Sequence, residues 1–275
     1  MRKVLAVSGG IDSVVMLHMF HEDPDVIVVH FNHGIRPNSG DDALFVQRLA
    51  ETYGLPFFVK HAKLGKNCSE ETARKARYDF LKQIAKEQNG QIYTAHHRDD
   101  LIETVAINYL RGTGWRGLAP LNNKDIVRPL LGMTKKDIYR YATLHGLSFR
   151  QDQTNTEDAY LRNRVRAKLQ ESSEEDKNKL AKLAMRQREL ADEIDKTLEA
   201  LKLDVNLPRE LFAEEDSVAA EILRHYLGKC NIQLTRPQLS HALSAVHSFQ
   251  AGKMYSLDKN HFIKINKYYF CIISA

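Results

Sequence analysis

Over the first two-thirds of the chain the hydrophobic pattern changes period repeatedly. Short apolar, β-branched runs at residues 3–7, 25–31, 56–60 and 91–95 read as buried strands. Between them, residues 13–21, 41–53, 69–86 and 101–110 carry apolar positions at helical spacing. Such alternation predicts right-handed βαβ units, hence a doubly wound, mainly parallel α/β sheet covered on both faces. A further short strand at residues 126–127 precedes Arg128-Pro129-Leu130-Leu131. Thr134-x-x-Asp137 then has the spacing of a capping box opening a helix to Leu144, with Gly146 as its C-terminal stop.

From Ser173 the texture changes. Ser173-Glu174-Glu175-Asp176 is an acidic, capped helix start, and Leu180, Leu183, Ala184, Leu190, Ala191, Ile194, Leu198 and Leu201 recur at helical spacing. This predicts a long amphipathic linker helix with a solvated charged face. Asn206-Leu207-Pro208 reads as a break, and residues 211–249 look helical, with Arg236-Pro237-Gln238 as a helix start. Residues 253–257, 262–266 and 268–273 read as short antiparallel strands, with a turn at Asp258-Lys259-Asn260. The predicted organisation is therefore a domain over residues 1–170, a linker helix over 171–204 and a small α+β domain over 205–275. No internal repeat or low-complexity tract interrupts it.

Composition narrows the class. At 275 residues the chain can build one large core and a smaller one. Its 43% hydrophobic and 27% charged residues are those of a soluble globular protein. No run approaches the roughly 18 apolar residues of a membrane span, and the chain enters a strand at once, leaving no room for a secretory leader. Cys68, Cys230 and Cys271 are far apart and form no Cys-x-x-Cys pair, which argues against a disulfide framework, a zinc site or an iron–sulfur cluster. Together these features predict a cytoplasmic protein. The net charge of +5 permits a nucleic-acid partner without requiring one.

Ligands of parallel sheets bind at the carboxyl ends of the strands, and the polar strings of this chain fall there. Ser8-Gly9-Gly10-Ile11-Asp12-Ser13 follows the first strand. Adjacent glycines and the free amides of the next helix make a nest for a polyanion. The Ser8 and Ser13 hydroxyls can donate to phosphate oxygens, and Asp12 can hold magnesium against them. The string is neither a Walker loop nor a dinucleotide fingerprint. The plainer reading is a strand–turn–helix with a serine or aspartate cap.

His30-Phe31-Asn32-His33-Gly34-Ile35-Arg36 follows the second strand, where Arg36 could reach a phosphate. In Glu71-Thr72-Ala73-Arg74-Lys75-Ala76-Arg77-Tyr78, Arg74 and Arg77 share a helix face beside Tyr78, suited to phosphate or RNA, or to a plain surface helix. In His96-His97-Arg98-Asp99-Asp100-Leu101-Ile102-Glu103-Thr104, Asp99 and Asp100 can cap a helix, and Asp99 or Asp100 can face one pocket with Glu103, suiting a magnesium–phosphate complex or a cationic substrate. The spacing is not that of a zinc helix. Arg111-Gly112-Thr113-Gly114-Trp115-Arg116-Gly117-Leu118 is a pliable loop that could close over a nucleotide or stack on a base, or a simple surface turn. Finally Asp152 and Asn155 precede Arg162, Asn163 and Arg166, which could neutralise RNA phosphates or transition-state charge, or form a solvated basic helix.

These strings, in this order, resemble the tRNA(Ile)-lysidine synthetase family of PP-loop ATP pyrophosphatases over roughly residues 1–170. The matching patterns are SGGxDS, NHxxR, HHxDDxxET, RGxGxxGL and DxxN…YxRNxxR, of which other PP-loop enzymes share only the first. The resemblance implies ATP-dependent ligation of L-lysine to C2 of the wobble cytidine in an isoleucine tRNA with anticodon CAU. An adenylated cytidine is the intermediate, and pyrophosphate and AMP are released. It implies ATP contacts from Ser8, Gly9, Gly10, Ile11, Asp12, Ser13, His30, Asn32 and Arg36, with magnesium on Asp12. It implies catalytic work by Asp12, His97, Asp99, Asp100, Glu103, Arg111 and Arg166. Which acid or histidine binds lysine and which acts as base stays open. It implies tRNA or substrate contacts from Glu71, Arg74, Arg77, Tyr78, Arg116, Asp152, Asn155, Arg162 and Asn163. A homodimer is left open.

Longer members carry two further C-terminal domains, whereas about 70 residues follow the linker helix here. The resemblance thus implies a short form without the last domain, and reopens how the CAU-bearing methionine tRNA is rejected. Lys253, Lys259, Lys264 and Lys267 could touch RNA phosphates, although lysines also protect strand edges. Two alternatives stand beside this reading. A PP-loop tRNA thiolase would share ATP activation, but those that mount persulfides or clusters need paired cysteines. An RNA-binding or nucleotide-sensing module would have lost parts of the acidic and arginine strings.

Overall fold

The computed structural model describes residues 1–34, 39–62, 64–65, 68–150, 159–213 and 215–274. They divide into two compact units, Met1–Arg186 and Gln187–Ala275. In the first, strands β1 (Arg2–Ala6), β2 (Val26–Asn32), β3 (Phe57–His61), β4 (Gly90–Tyr93) and β5 (Ile126–Val127) form one sheet in the order β3-β2-β1-β4-β5. All four pairings are parallel. Helices α1 (Ile11–Phe20), α2 (Ser39–Thr52), α3 (Glu70–Glu87), α4 (Arg98–Leu110) and α5 (Lys135–Leu144) alternate with the strands, and α6 (Ala159–Glu171) follows. The expected doubly wound α/β architecture is present.

Period-two alternation of the strands decides which helices cover which face. Leu5, Val7, Val26 and Val28 pack with Val15, Met16, Val46, Ala50, Ile138 and Ala142, so α1, α2 and α5 lie on one side. Val4, Ile27, Val29 and Ile92 pack with Phe80, Leu81 and Ile84 of α3 on the other. Every residue of β2 is buried, because a strand inside a parallel sheet loses water on both faces. The strand order reverses between β1 and β4, both of which begin their excursions from the centre of the sheet. A crevice outside the carboxyl ends of those two strands is therefore the expected ligand site.

Helix starts differ from the sequence expectation for a local reason. The α4 helix begins at Arg98, three residues early, because the His97 ring accepts from Asp99 N–H and Asp100 accepts from His97 N–H. The Thr134–Asp137 capping box opens α5 as expected, and Gly146 takes the left-handed backbone (φ +59°) just past its end.

The long helix α7 (Glu174–Ala200) contributes to both units. In the second unit, β6 (Leu207–Pro208), β7 (Met254–Ser256), β8 (His261–Ile265) and β9 (Tyr269–Ser274) make an antiparallel sheet in the order β6-β9-β8-β7. Leu207-Pro208, read from sequence as a break only, is thus an edge strand, where a proline is tolerated. Helices α8 (Asp216–Lys229) and α9 (Arg236–Ser248) share one core with this sheet through Leu223, Leu227, Leu239, Val246, Ile263, Ile265 and Phe270. Among the described residues no helix is long and apolar enough to cross a membrane.

Candidate active site

The loop after β1 folds around one hydroxyl. Ser13 Oγ accepts from the amides of Ser8 (3.1 Å) and Gly9 (3.1 Å) and donates to Gly10 O (2.8 Å). Gly9 has φ +93°, a conformation that strains any side chain, and a Cβ there would press on Phe45 and Val46 at 3.4 Å. The nest is therefore narrower than its sequence suggested, since the Ser8 and Gly9 amides are already used. The amides at the start of α1 have no partner within the helix and point where an anion would sit. Ile11 is buried in the core beneath, and Asp12 stands in the first turn of α1 with its side chain 31% exposed.

Across the strand-order reversal, the start of α4 faces this loop. The His97 ring is buried, and because its Nδ1 accepts from Asp99 N–H (3.2 Å), the proton of the neutral ring is on Nε2. That Nε2 lies 3.8 Å from Asp12 Oδ1 and 3.5 Å from Asp100 Oδ2. Lys135, at the first position of α5, places its Nζ 2.6 Å from the same Asp12 oxygen. Four ionisable side chains from three helices thus meet at the carboxyl edge of β1 and β4.

The three carboxylates of the acidic string find different partners. Asp99 is held by its neighbours: Oδ1 accepts from Arg98 Nε (3.1 Å) and Nη2 (2.9 Å), and Oδ2 from the Lys135 amide (3.0 Å). Glu103, one turn on and nearly buried, is clasped by Arg162 Nε at 2.7 Å and Arg166 Nε at 2.6 Å. Arg162 and Arg166 share a face of α6 at i,i+4, which brings that helix onto α4. Asp100 stays beside His97, whose Nε2 also faces Asp12.

A second, basic group gathers around His96. Its Nδ1 lies 2.9 Å from Thr94 Oγ1, and its pKa is pushed down to about 3, first by burial and then by the charges of Arg128, Arg77 and Arg74. Arg74 and Arg77 also lie over the Tyr78 ring, 5.1 and 5.3 Å from its centroid. The Tyr78 hydroxyl is buried without a hydrogen-bond partner among the described residues. Glu71, earlier on α3, is exposed.

The remaining expected residues are more dispersed. His30 is buried and donates from Nδ1 to Val7 O (2.8 Å), and burial holds its pKa below the usual imidazole range. Asn32 accepts from Gly34 N–H (2.9 Å) and faces His61, so it shapes the turn after β2. Arg111 is exposed at the end of α4, and Arg116 stacks on Trp115 at 4.7 Å. Asn163 is exposed on α6. Arg36, Asp152 and Asn155 lie outside the described residues.

Two cations beside the loop were missed by the sequence reading. Lys135 showed only as the residue after a cap. Arg150 donates its amide to Gly9 O (2.9 Å) and pairs with Asp42 (3.2 Å), so it packs on the loop from a segment with no pattern of its own. Neither carries a local signal, since each is placed by tertiary contacts.

The profile of the PP-loop domain family ATP_bind_3 matches residues 1–173. The chain belongs to this PP-loop family. This PP-loop protein is similar to the tRNA(Ile)-lysidine synthase of Clostridioides difficile, at 30% identity over 94% of this chain and 64% of the relative. It is similar to that of Geobacter sulfurreducens at 38% identity, over 61% of this chain and 39% of the relative. With the bifunctional protein TilS/HprT of Listeria monocytogenes it shares 36% identity over 60% of this chain and 28% of the relative. The matched part therefore spans 28% to 64% of the length of these relatives. Among solved structures, the U34-tRNA thiolase NcsA of Methanococcus maripaludis superposes with a TM-score of 0.58 at 22% identity, over 69% of this chain and 72% of that one, a likeness of fold.

Proposed function

We propose that this PP-loop protein is an ATP-dependent tRNA(Ile)-lysidine synthetase. The observation that carries the proposal is the meeting of Asp12, from the Ser-Gly-Gly-x-Asp-Ser loop, with His97 and Asp100, from the His-His-x-Asp-Asp string, at the strand-order reversal. The names of the lysidine synthases it resembles supply tRNA(Ile) as the substrate class, and the PP-loop family supplies ATP; the CAU-anticodon form and L-lysine complete the proposal.

In the first step the O2 of the wobble cytidine attacks the α-phosphorus of ATP. A bond from O2 to phosphorus forms, the bond to the bridging oxygen breaks, and its electron pair leaves on pyrophosphate. In the second step the ε-amine of lysine attacks C2, the C2–O2 bond breaks, and AMP leaves carrying O2. The amine's unperturbed pKa of about 10.4 means that it must give up a proton. His97 and Asp100 are the groups placed to hold the ammonium and take that proton. Asp99 and Glu103 are assigned positioning work, because their oxygens are already held by the protein. The loop and the start of α1 bind the phosphates, Arg74, Arg77, Arg116 and Arg166 steer the anticodon loop, and a single-stranded wobble base can be splayed into the crevice at modest cost.

Magnesium fits this site as a companion of the nucleotide. Among the described residues no group of three or more His, Cys, Asp or Glu side chains could hold a metal alone. Asp12 offers one hard carboxylate, and magnesium is commonly held by one or two carboxylates with phosphate oxygens and water. When bound, it would draw charge from the phosphates. A cytoplasmic setting, where tRNA and ATP meet, belongs to the same proposal.

The deciding experiment incubates the protein with ATP, magnesium, labelled lysine and CAU-bearing tRNA(Ile). Label is expected in RNA, with AMP and pyrophosphate released. Absence of both label and adenylated RNA sinks the assignment. Label from cysteine sulfur in place of lysine would favour the thiolase reading.

A further inference from the structure

The pair between Lys135 and Asp12 is more elaborate than a surface ion pair requires. The two side chains are 36% and 31% exposed, and exposed pairs contribute about 0–1 kcal/mol. Asp12 already sits in the favourable field at the N-terminus of α1 and needs no lysine for its charge to be tolerated. Yet the start of α5 is fastened to the start of α4 at two points: Arg98 N–H donates to Met133 O (2.9 Å) and Lys135 N–H to Asp99 Oδ2 (3.0 Å). Thr134 and Asp137 close the capping box around the same turn. The backbone of Lys135 is thus fixed, while its four-carbon stem carries a mobile point charge to the mouth of the phosphate loop.

We propose that Lys135 is a further catalytic residue, the cation that receives the pyrophosphate half of ATP, and that its pair with Asp12 is the resting position of that charge. This rests on the reading that the loop binds ATP. Asp12 is the carboxylate assigned to the nucleotide's magnesium, so nucleotide binding takes Asp12 away from Lys135. The ammonium then needs a new anion, and the phosphates entering the nest beside Asp12 supply it. The cation therefore binds these phosphates in ATP, and as the bond between the α-phosphorus and the bridging oxygen breaks, negative charge grows on pyrophosphate and the same contact strengthens. Aspartate 99 gains its role from the same geometry: it is the anchor that sets where Lys135 starts.

The test is nucleotide binding by calorimetry with magnesium, using ATP, pyrophosphate and AMP as separate probes. The proteins are wild type, Lys135→Met and Lys135→Arg, each first checked for an unchanged thermal transition. Lys135→Met is expected to weaken ATP and pyrophosphate roughly tenfold or more, the worth of one charge-assisted hydrogen bond. AMP, which lacks the pyrophosphate, should bind within about twofold of wild type, and Lys135→Arg should recover most of the loss. Unchanged ATP and pyrophosphate affinity in Lys135→Met overturns the proposal. Equal weakening of ATP and AMP also overturns it, because that would mean a disturbed loop. A wild-type protein that binds no ATP overturns the underlying reading along with it.

Discussion

A carboxylate whose two oxygens already accept hydrogen bonds within the protein has little left to offer a substrate, because one of those bonds would first have to break. Glu103 is in that state between Arg162 and Arg166, and Asp99 is in it between Arg98 and the Lys135 amide. Asp100 differs. One oxygen caps α4 through His97 N–H (3.0 Å) and faces His97 Nε2, with Asp12 nearby. The substitution that separates cap from charge is Asp100→Asn, since an amide oxygen can still accept from His97 N–H. We expect it to leave cytidine adenylation near wild type and to slow lysine transfer about 100-fold, the scale of a lost general base. Single-turnover assays starting from adenylated tRNA would show it. A transfer rate equal to wild type would move the role to His97 alone.

At the scale of elements, the starts of α4, α5 and α7 form one junction, and Arg98 is its centre. This arginine is only 7% exposed and donates to Asp99, to Glu174 Oε2 (3.0 Å) and to Asn178 Oδ1 (2.7 Å). A nearly buried charge is tolerated only while such partners remain. Arg98→Met should therefore cost about 2–3 kcal/mol, since the freed Asp99 and Glu174 can rehydrate in part. The corresponding fall in Tm is roughly 5–10 °C. Glu174→Gln, at a side chain 65% exposed, should cost less than about 1 kcal/mol. Equal losses from both would place the stability elsewhere. Much at this scale was legible in the sequence, because strand and helix periods, the Thr134 box and the glycine of the loop are local. The parallel sheet also followed from the run of βαβ units, whereas the central place of β1 between β2 and β4 is a property of the fold that no local pattern carries. Lys135, Arg150 and the split of the acidic string were not legible. Periodicity places Asp99 and Asp100 on one helical turn but does not say which partner each carboxylate finds, and that depends on α5 arriving from β5. The Leu207-Pro208 edge strand was hidden for the same reason, since its partner among the described residues, β9, lies some sixty residues away.

At the scale of the whole molecule, the sequence's 40 basic against 35 acidic side chains leave a modest positive excess, and the histidines add to it as pH falls. Three of them in the first unit resist that addition: burial pushes His96, His30 and His18 below the ordinary imidazole range. His18 is further opposed by His21 and His145, whose ring centroids lie 4.8 and 4.7 Å away, while Tyr53 and Tyr141 face it and Glu22 pulls the other way. A base whose folded pKa is depressed is neutral in the fold and protonated in the unfolded chain. Its contribution is complete above the unfolded pKa of about 6.5, and unfolding gains protons as pH drops below that value. For His96, with a folded pKa of about 3, the loss grows from pH 6.5 down to about 3 and reaches about 2 kcal/mol at pH 5. The single tryptophan, Trp115, lies in the first unit, so its fluorescence during urea unfolding reports that unit. Its midpoint should fall steadily between pH 7 and pH 5. His96→Asn, whose amide can keep the contact to Thr94, should remove the His96 share of that slope while His30 and His18 keep theirs. A slope identical in both proteins would mean that His96 is hydrated and ordinary. It would also mean that Arg74, Arg77 and Arg128 do not converge on it, which would weaken the case that this edge of the sheet is built to receive an anion.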